Sequence, residues 1–169
     1  EIDDLAKIFD VEARGTALIA DFKARENALR TSFGKNQRDL SFLFWFSSAS
    51  PSADAYLGGK NSASGFIAHL LGGHNAIDSD SEWPTVGWES IIAANPDVIV
   101  VSSLDRNRWK LDSAEEKIRF LKSDPAVSQL EAVKKGHIVV MDGQAMNPTI
   151  RTLYGAEQVA KQLETLGLN

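Results

Sequence analysis

Residues 83–101 read Trp83-Pro84-Thr85-Val86-Gly87-Trp88-Glu89-Ser90-Ile91-Ile92-Ala93-Ala94-Asn95-Pro96-Asp97-Val98-Ile99-Val100-Val101. A helix and a strand follow one another in this stretch. Trp88 to Ala94 predicts a short helix, which stops before Asn95-Pro96 because proline disfavours helix in the residue ahead of it. Residues 97–101 then run into unbroken branched aliphatics, the composition of a strand buried on both faces.

The same alternation extends outward in both directions. Downstream, His137-Ile138-Val139-Val140-Met141 is a second apolar run. Upstream, Leu40-Ser41-Phe42-Leu43-Phe44-Trp45-Phe46 is a third, and its aromatic bulk also suits double-sided burial. Helical stretches separate the runs. Ser62 is placed to cap a helix carrying Phe66, Ile67, Leu70 and Leu71, which stops at Gly72-Gly73. Ser113 with Glu116 predicts a reciprocal capping box. Asp124-Pro125 opens another short helix. Pro148 starts the last one, in which Leu153, Ala156, Val159, Ala160, Leu163 and Leu166 recur at helical spacing.

Ahead of all of these, residues 6–32 contain no proline, and Val11, Leu18, Phe22, Leu29 and Phe33 fall on one helical face. One long helix closing at Gly34-Lys35-Asn36 is expected, with Gly15 its weakest point. Strands alternating with helices mean parallel pairing through helical crossovers, so the fold class is α/β: a parallel sheet with flanking helices, preceded by a long helix. Ligands of such sheets sit beyond the carboxyl ends of the strands. The loops expected there are residues 47–61, 102–112 and 142–147, with 78–87 nearby.

Composition narrows the function. Hydrophobic residues make up 43% and charged residues 24% of 169, an ordinary globular mix for one domain. A net charge of -5 weighs against a nucleic-acid partner. The most apolar runs, 40–46 and 98–101, are far too short for a transmembrane segment. Cysteine is absent, so there are no disulfides. The chain opens with Glu1 and lacks a basic-then-apolar start, so it reads as an excised or processed piece.

Motifs for catalysis fail one by one. A phosphate-binding loop would need glycine where Asp54 stands and Ser or Thr where Asn61 stands. Ser64 lacks the first glycine of a nucleophile elbow, and no GxGxxG occurs. His69 and His74 lie on different helical faces, His137 opens a strand, and no third ligand joins them at a metal-like spacing. The expectation is a protein without enzymatic activity, resident cofactor or metal.

Residues 83–101, ending in the run Asn95-Pro96-Asp97-Val98-Ile99-Val100-Val101, closely resemble the C-terminal lobe of the periplasmic binding proteins for ferric siderophores, haem and vitamin B12. Further stretches match in the family's order: Leu70-Leu71-Gly72-Gly73-His74-Asn75-Ala76, then Leu121-Lys122-Ser123-Asp124-Pro125-Ala126-Val127, then Leu130-Glu131-Ala132-Val133-Lys134-Lys135-Gly136-His137-Ile138-Val139-Val140-Met141-Asp142. The resemblance implies two α/β lobes joined by a long helix, with ligand held between them. Residues 1–36 would then be the connecting helix and 37–169 the C-terminal lobe, the N-terminal lobe being absent from this sequence. It implies a solute-binding component of an ABC importer, periplasmic or lipid-anchored to the outer face of the cytoplasmic membrane. Its partners would be permease subunits and a small-molecule chelate: a ferric siderophore, haem or cobalamin. Lobe closure in such a protein should be small, because a helix resists bending more than a loop hinge does. A rival reading, an enzyme domain of similar doubly wound fold, is not separable by fold; the missing catalytic motifs and Glu89 are what discriminate.

The resemblance places two residues. Glu89, in the first turn after the tryptophan loop, falls at the position where the family pairs with permease arginines; the helix dipole favours a carboxylate there, and it can take a bidentate arginine. Trp83 falls at a cleft position that touches ligand in the corrinoid-binding relative, and a flat indole suits a macrocycle or catecholate. Trp88, inside the helix, is expected in the core. The remaining candidates come from the loops themselves. Tyr56 can stack on a chelate or offer a phenolate to haem iron. Arg106, Arg108 and Trp109 form a basic-aromatic cluster suited to an anionic chelate. Arg151 occupies a first helical turn that the dipole does not favour for a cation, and Gln144, Met146 and Asn147 are candidates for the same edge.

Overall fold

The apolar runs form three parallel strands. In the computed structural model, which describes residues 1–34, 38–106 and 108–169, β1 (Ser41–Ser47), β5 (Val98–Ser103) and β6 (Ile138–Asp142) lie side by side in that order. Each sends alternate side chains to opposite faces. Phe42, Phe44, Val98, Val100, Val139 and Met141 enter one core. Leu43, Trp45, Ile99 and Val101 enter the other. Helices α3 (Ala63–Leu70) and α7 (Arg151–Thr165) cover the first face. The second is covered by α4 (Trp88–Ala94), α5 (Ala114–Ser123) and α6 (Glu131–Lys135). Burial on both sides explains why these strands read as continuous apolar runs.

The sheet is larger and more mixed than expected. Residues 47–61 are not all loop: β2 (Ala55–Gly58) turns back antiparallel on β1, and β4 (Thr85–Val86) pairs antiparallel with β2. A further short strand, β3 (His74–Asn75), pairs in parallel with the start of β1. In β2, Ala55 and Leu57 are buried while Tyr56 between them is exposed, the two-residue alternation of a half-buried strand.

The amino-terminal third also differs. Two helices replace one: α1 (Ile2–Ile8) and α2 (Glu12–Phe33). Asp10 turns the chain with a φ of 55°, a conformation aspartate tolerates better than most residues. Gly15 lets α1 fold back on α2, since a Cβ there would lie 2.4 Å from the Ala6 methyl. Leu18, expected on the packed face, is exposed; Phe22, Leu29 and Phe33 face the body. Arg25 fastens α2 to α7 by a bidentate pair with Glu157, both bonds 2.7 Å. Helix α2 closes at Gly34 in a right-handed conformation, without a left-handed cap; the expected closing residues Lys35 and Asn36 lie outside the described residues.

Local signals elsewhere hold with small corrections. Ser62 caps α3 by accepting the Ser64 N–H. The Ser113 hydroxyl accepts the Glu116 N–H at 3.3 Å, but the Glu116 carboxylate turns to Lys110 and Arg119, so only half of the capping box forms. The last helix begins at Arg151 and not at Pro148, because the Thr152 hydroxyl bonds Asn147 O at 2.9 Å and holds the intervening residues in a turn.

A lysine is buried among these layers. Lys117 of α5 is fully enclosed and donates to Ser102 O at 2.8 Å and Ser102 Oγ at 3.0 Å. Burial pushes its ammonium down to about 7, against the attraction of Asp112 and with Arg106 adding to the decrease. The folded protein therefore binds fewer protons than the unfolded chain between about 7 and the ordinary 10.5. Stability from this group is lowest below that window and rises with pH across it. Lys117→Met should flatten the rise and stabilise the protein at acid pH by about 1–3 kcal/mol. Urea melts below and above neutrality measure this; a variant no more stable than wild type at acid pH contradicts it.

Candidate functional site

Strands β1, β5 and β6 end together at Ser47, Ser103 and Asp142. Three aromatic rings meet beside the first of these ends. Phe46 is edge-on to Trp83 at 5.1 Å and to Tyr56 at 6.0 Å between ring centres. Tyr56 and Trp83 stack at 5.5 Å with 22° between their planes. Tyr56 is 40% exposed. Trp83 is held in place because its segment runs along β2: Leu57 N–H donates to Pro84 O at 2.9 Å and Gly59 N–H to Glu82 O at 2.8 Å. Gly59 is required for that approach, since a Cβ would come within 2.2 Å of Ser81 O. Lys60 ties the same segment down through Asp78 and Asp80.

A guanidinium extends the aromatic strip. Arg106 lies over Phe46 at 5.3 Å and over Trp109 at 5.1 Å, and Arg108 lies over the same indole at 5.1 Å. The anchor beneath is Asp112, fully buried. It accepts from Arg106 Nε and Nη2 at 3.1 and 3.0 Å and from the Ser47 hydroxyl at 2.7 Å. It also accepts the N–H groups of Arg108 and Trp109 at 2.9 and 3.0 Å. Burial pushes this carboxyl up, but Arg106, Ser47 and the Trp109 N–H together outweigh it and hold it far below the usual carboxylate range. The loop after β5 is therefore clamped at the strand tips by a charged carboxylate.

The predicted residues divide accordingly. Tyr56, Trp83, Arg106, Arg108 and Trp109 form one strip across two connections. Tyr56 is the correction among them: it sits on strand β2 and not in a loop, which fixes its ring. Arg151 stands apart at the end of β6, where its nearest carboxylate is Asp142 at 3.8 Å. Met146 is not at the edge; residues 143–146 form a short 3-10 turn that tucks it fully into the core, while Gln144 is exposed and Asn147 half-buried. Glu89 is exposed in the first turn of α4, and among the described residues its carboxylate has no ion-pair partner. Trp88, expected in the core, is partly buried and packs edge-on against the core residue Trp45 at 4.9 Å. Sequence reading missed Phe46, Ser47 and Asp112. Phe46 was legible only as the last residue of a strand, and Asp112 looked like one more charge in a charged loop.

Beside Trp83 opens a groove of about 830 Å³ between α2, α3 and the turn before α7. Phe22, Phe66, Ile150 and Leu153 line it, and so does the amino end of α1. Helix α1 does not close the strip: Tyr56 and Trp109 remain 40% and 38% exposed. Among the described residues no three histidine or carboxylate side chains gather as a metal site, and no helix is long and apolar enough to cross a membrane.

The clamp holds the Arg106–Trp109 end of the strip. Asp112→Ala would leave Arg106 and two backbone N–H groups unpaired, so it should cost about 3–5 kcal/mol of stability. Urea denaturation of the variant measures it; a loss below about 1 kcal/mol, the range of an exposed pair, would mean that the carboxylate holds nothing.

Solved structures share this architecture. An ABC transporter substrate-binding protein from Listeria monocytogenes EGD-e aligns over 95% of the chain with a TM-score of 0.75 and 20% identity. An Fe3+-hydroxamate transport system protein from Saccharomonospora viridis DSM 43017 aligns over 96% with a TM-score of 0.78 and 21% identity. The periplasmic haem-binding protein HutB of Vibrio cholerae aligns over 95% with a TM-score of 0.75 and 24% identity. Identities this low establish the fold. The chain spans 60%, 53% and 60% of those three chains, less than two thirds of each. No curated protein sequence matches it. The sequence profile of the periplasmic binding proteins matches residues 1–145, and with the parallel sheet and its aromatic strip in place, the chain belongs to the periplasmic binding protein family.

Proposed function

We propose that the chain is the C-terminal lobe and connecting helix of a solute-binding protein that serves an ABC importer outside the cytoplasmic membrane, carrying an iron chelate, haem or corrinoid without transforming it. The observation that carries this reading is the aromatic strip at the strand tips. Tyr56, Trp83 and Phe46 present rigid, partly exposed ring surface at the end of the sheet where α/β folds take ligands. Solved relatives of the same fold include haem-binding and ferric hydroxamate transport proteins, and flat or amphipathic chelates suit such rings.

A second lobe completes the reading. Leu5, Ile8 and Phe9 on and just after α1 are 53%, 73% and 68% exposed. Apolar side chains gathered this densely suit coverage by further protein. A lobe resting there would face the strip across the groove, with α2 as the connection. The tyrosine, tryptophan and arginine side chains would then form one wall of the ligand site, and Tyr56 would be the residue able to approach iron.

Glu89 is the proposed contact with the permease. Its carboxylate sits at the positive end of α4, near the strand tips, because Thr85 pairs with Tyr56 and Tyr56 with Ser47. Without an internal partner it is available to a guanidinium on another protein. Glu89→Ala in the full-length protein should leave solute affinity intact and lower import by at least about tenfold, as removing one partner of an interfacial charge pair does. Uptake into vesicles reconstituted with the permease is the measurement; wild-type uptake by the variant eliminates Glu89 as a docking residue.

A further inference from the structure

The arginines near the strip first suggest an anionic cargo, but their partners weaken that suggestion. Arg106, the guanidinium closest to the aromatic rings, spends two of its donors on the buried carboxylate of Asp112. Together they are a neutral unit, and Arg106 cannot swing out without stranding a buried charge. Arg151 has Asp142 beside it. Among the described residues the Arg108 guanidinium has no carboxylate partner, and it stacks on Trp109 at the end of the strip away from Trp83.

At the other end the unpaired charge is of the opposite sign. The groove that continues from Trp83 is lined by apolar groups and by Glu82, Glu26, Asp3 and Glu1, whose α-ammonium is paired with Asp4 at 3.1 Å, with no lysine or arginine among the described residues of its wall. Glu26 and Asp3 are paired with Arg30 and Lys7 on their own helices, while Glu82 is exposed and unpaired among the described residues. An unpaired carboxylate beside a low-dielectric apolar wall, as Glu82 is, attracts cations and repels anions.

We infer that the solute taken up on this face is a neutral or cationic chelate with a largely apolar surface, and not an anionic one. The inference rests on the carrier reading above and narrows it: a hydroxamate-type ferric chelate or a cobalamin fits, whereas a ferric catecholate or a porphyrin bearing propionates does not. Glu82 sets the preference by holding negative charge where the groove meets the Trp83 ring. A porphyrin would find flat rings but no free guanidinium beside Trp83 to receive its carboxylates.

The test is titration of the full-length protein, followed by tryptophan fluorescence, with ferrioxamine B as a cationic ferric hydroxamate, cyanocobalamin as a neutral corrinoid, ferric enterobactin as an anionic catecholate, and haem. The cationic or the neutral probe should bind at least about tenfold more tightly than either anionic one. If ferrioxamine B is the one bound, Glu82→Gln should weaken it by a few-fold, and added salt should weaken it in wild type more than in the variant. If cyanocobalamin is the one bound, Glu82→Gln should leave it unchanged and improve the anionic probes. Tighter binding of ferric enterobactin or haem overturns the charge assignment while leaving the carrier reading intact. Binding of none of the four overturns both.

Discussion

A sheet covered by helices on both faces leaves little room for charged groups except at its strand ends. That constraint organises this protein. Alternate residues of β1, β5 and β6 are consumed by two cores, so everything the molecule can present to a ligand is displaced to the tips and to the connections that leave them. At β1 the transition is abrupt: Trp45 is fully buried, Phe46 is half-exposed, and Ser47 is already a hydrogen-bond donor to Asp112.

The same constraint explains why two charges lie inside. The chain leaving β5 must turn back toward α5, and its backbone N–H groups at Arg108 and Trp109 have no strand to pair with. Asp112 supplies the acceptor for both, and Arg106 and Ser47 complete its coordination. Lys117 fills the corresponding place one strand along, donating to Ser102 while Ser102 Oγ donates to Phe46 O at 2.5 Å. A linked run of polar groups thus crosses beneath the strip and ties the ends of β1 and β5 together. It is costly in desolvation, and what it supplies is position: Phe46 and Arg106 are both attached to it.

What was legible in the sequence follows from the range of the forces involved. The strands at 41–47, 98–103 and 138–142 were legible because burial on both faces writes itself as an apolar run, and Ser62 and Ser113 because capping acts within a few residues. Tyr56 was misplaced because Ala55–Gly58 is too short for its alternation to stand out, and its pairing with β1 is decided by distant residues. The break at Asp10 was hidden because a single left-handed residue leaves no pattern; Gly15, read as a weak point in one helix, marks the contact between two. Asp112 and Lys117 were invisible for a general reason. Each stands among exposed charges, and only the tertiary structure shows which charge in a charged stretch turns inward.

That distinction also sorts the candidate residues by what they are free to do. A charge with buried partners is committed to holding shape, as Arg106 is to Asp112, and its contribution to a ligand is the face of its guanidinium plane more than its net charge. A charge with none, such as Glu89 in the first turn of α4 or Glu82 at the mouth of the groove, costs the fold little and keeps its full capacity for a partner from outside. Two proteins of the same composition would therefore differ in cargo according to which of their arginines found a buried carboxylate. In this one the carboxylate found is Asp112, and the ring it positions is Phe46.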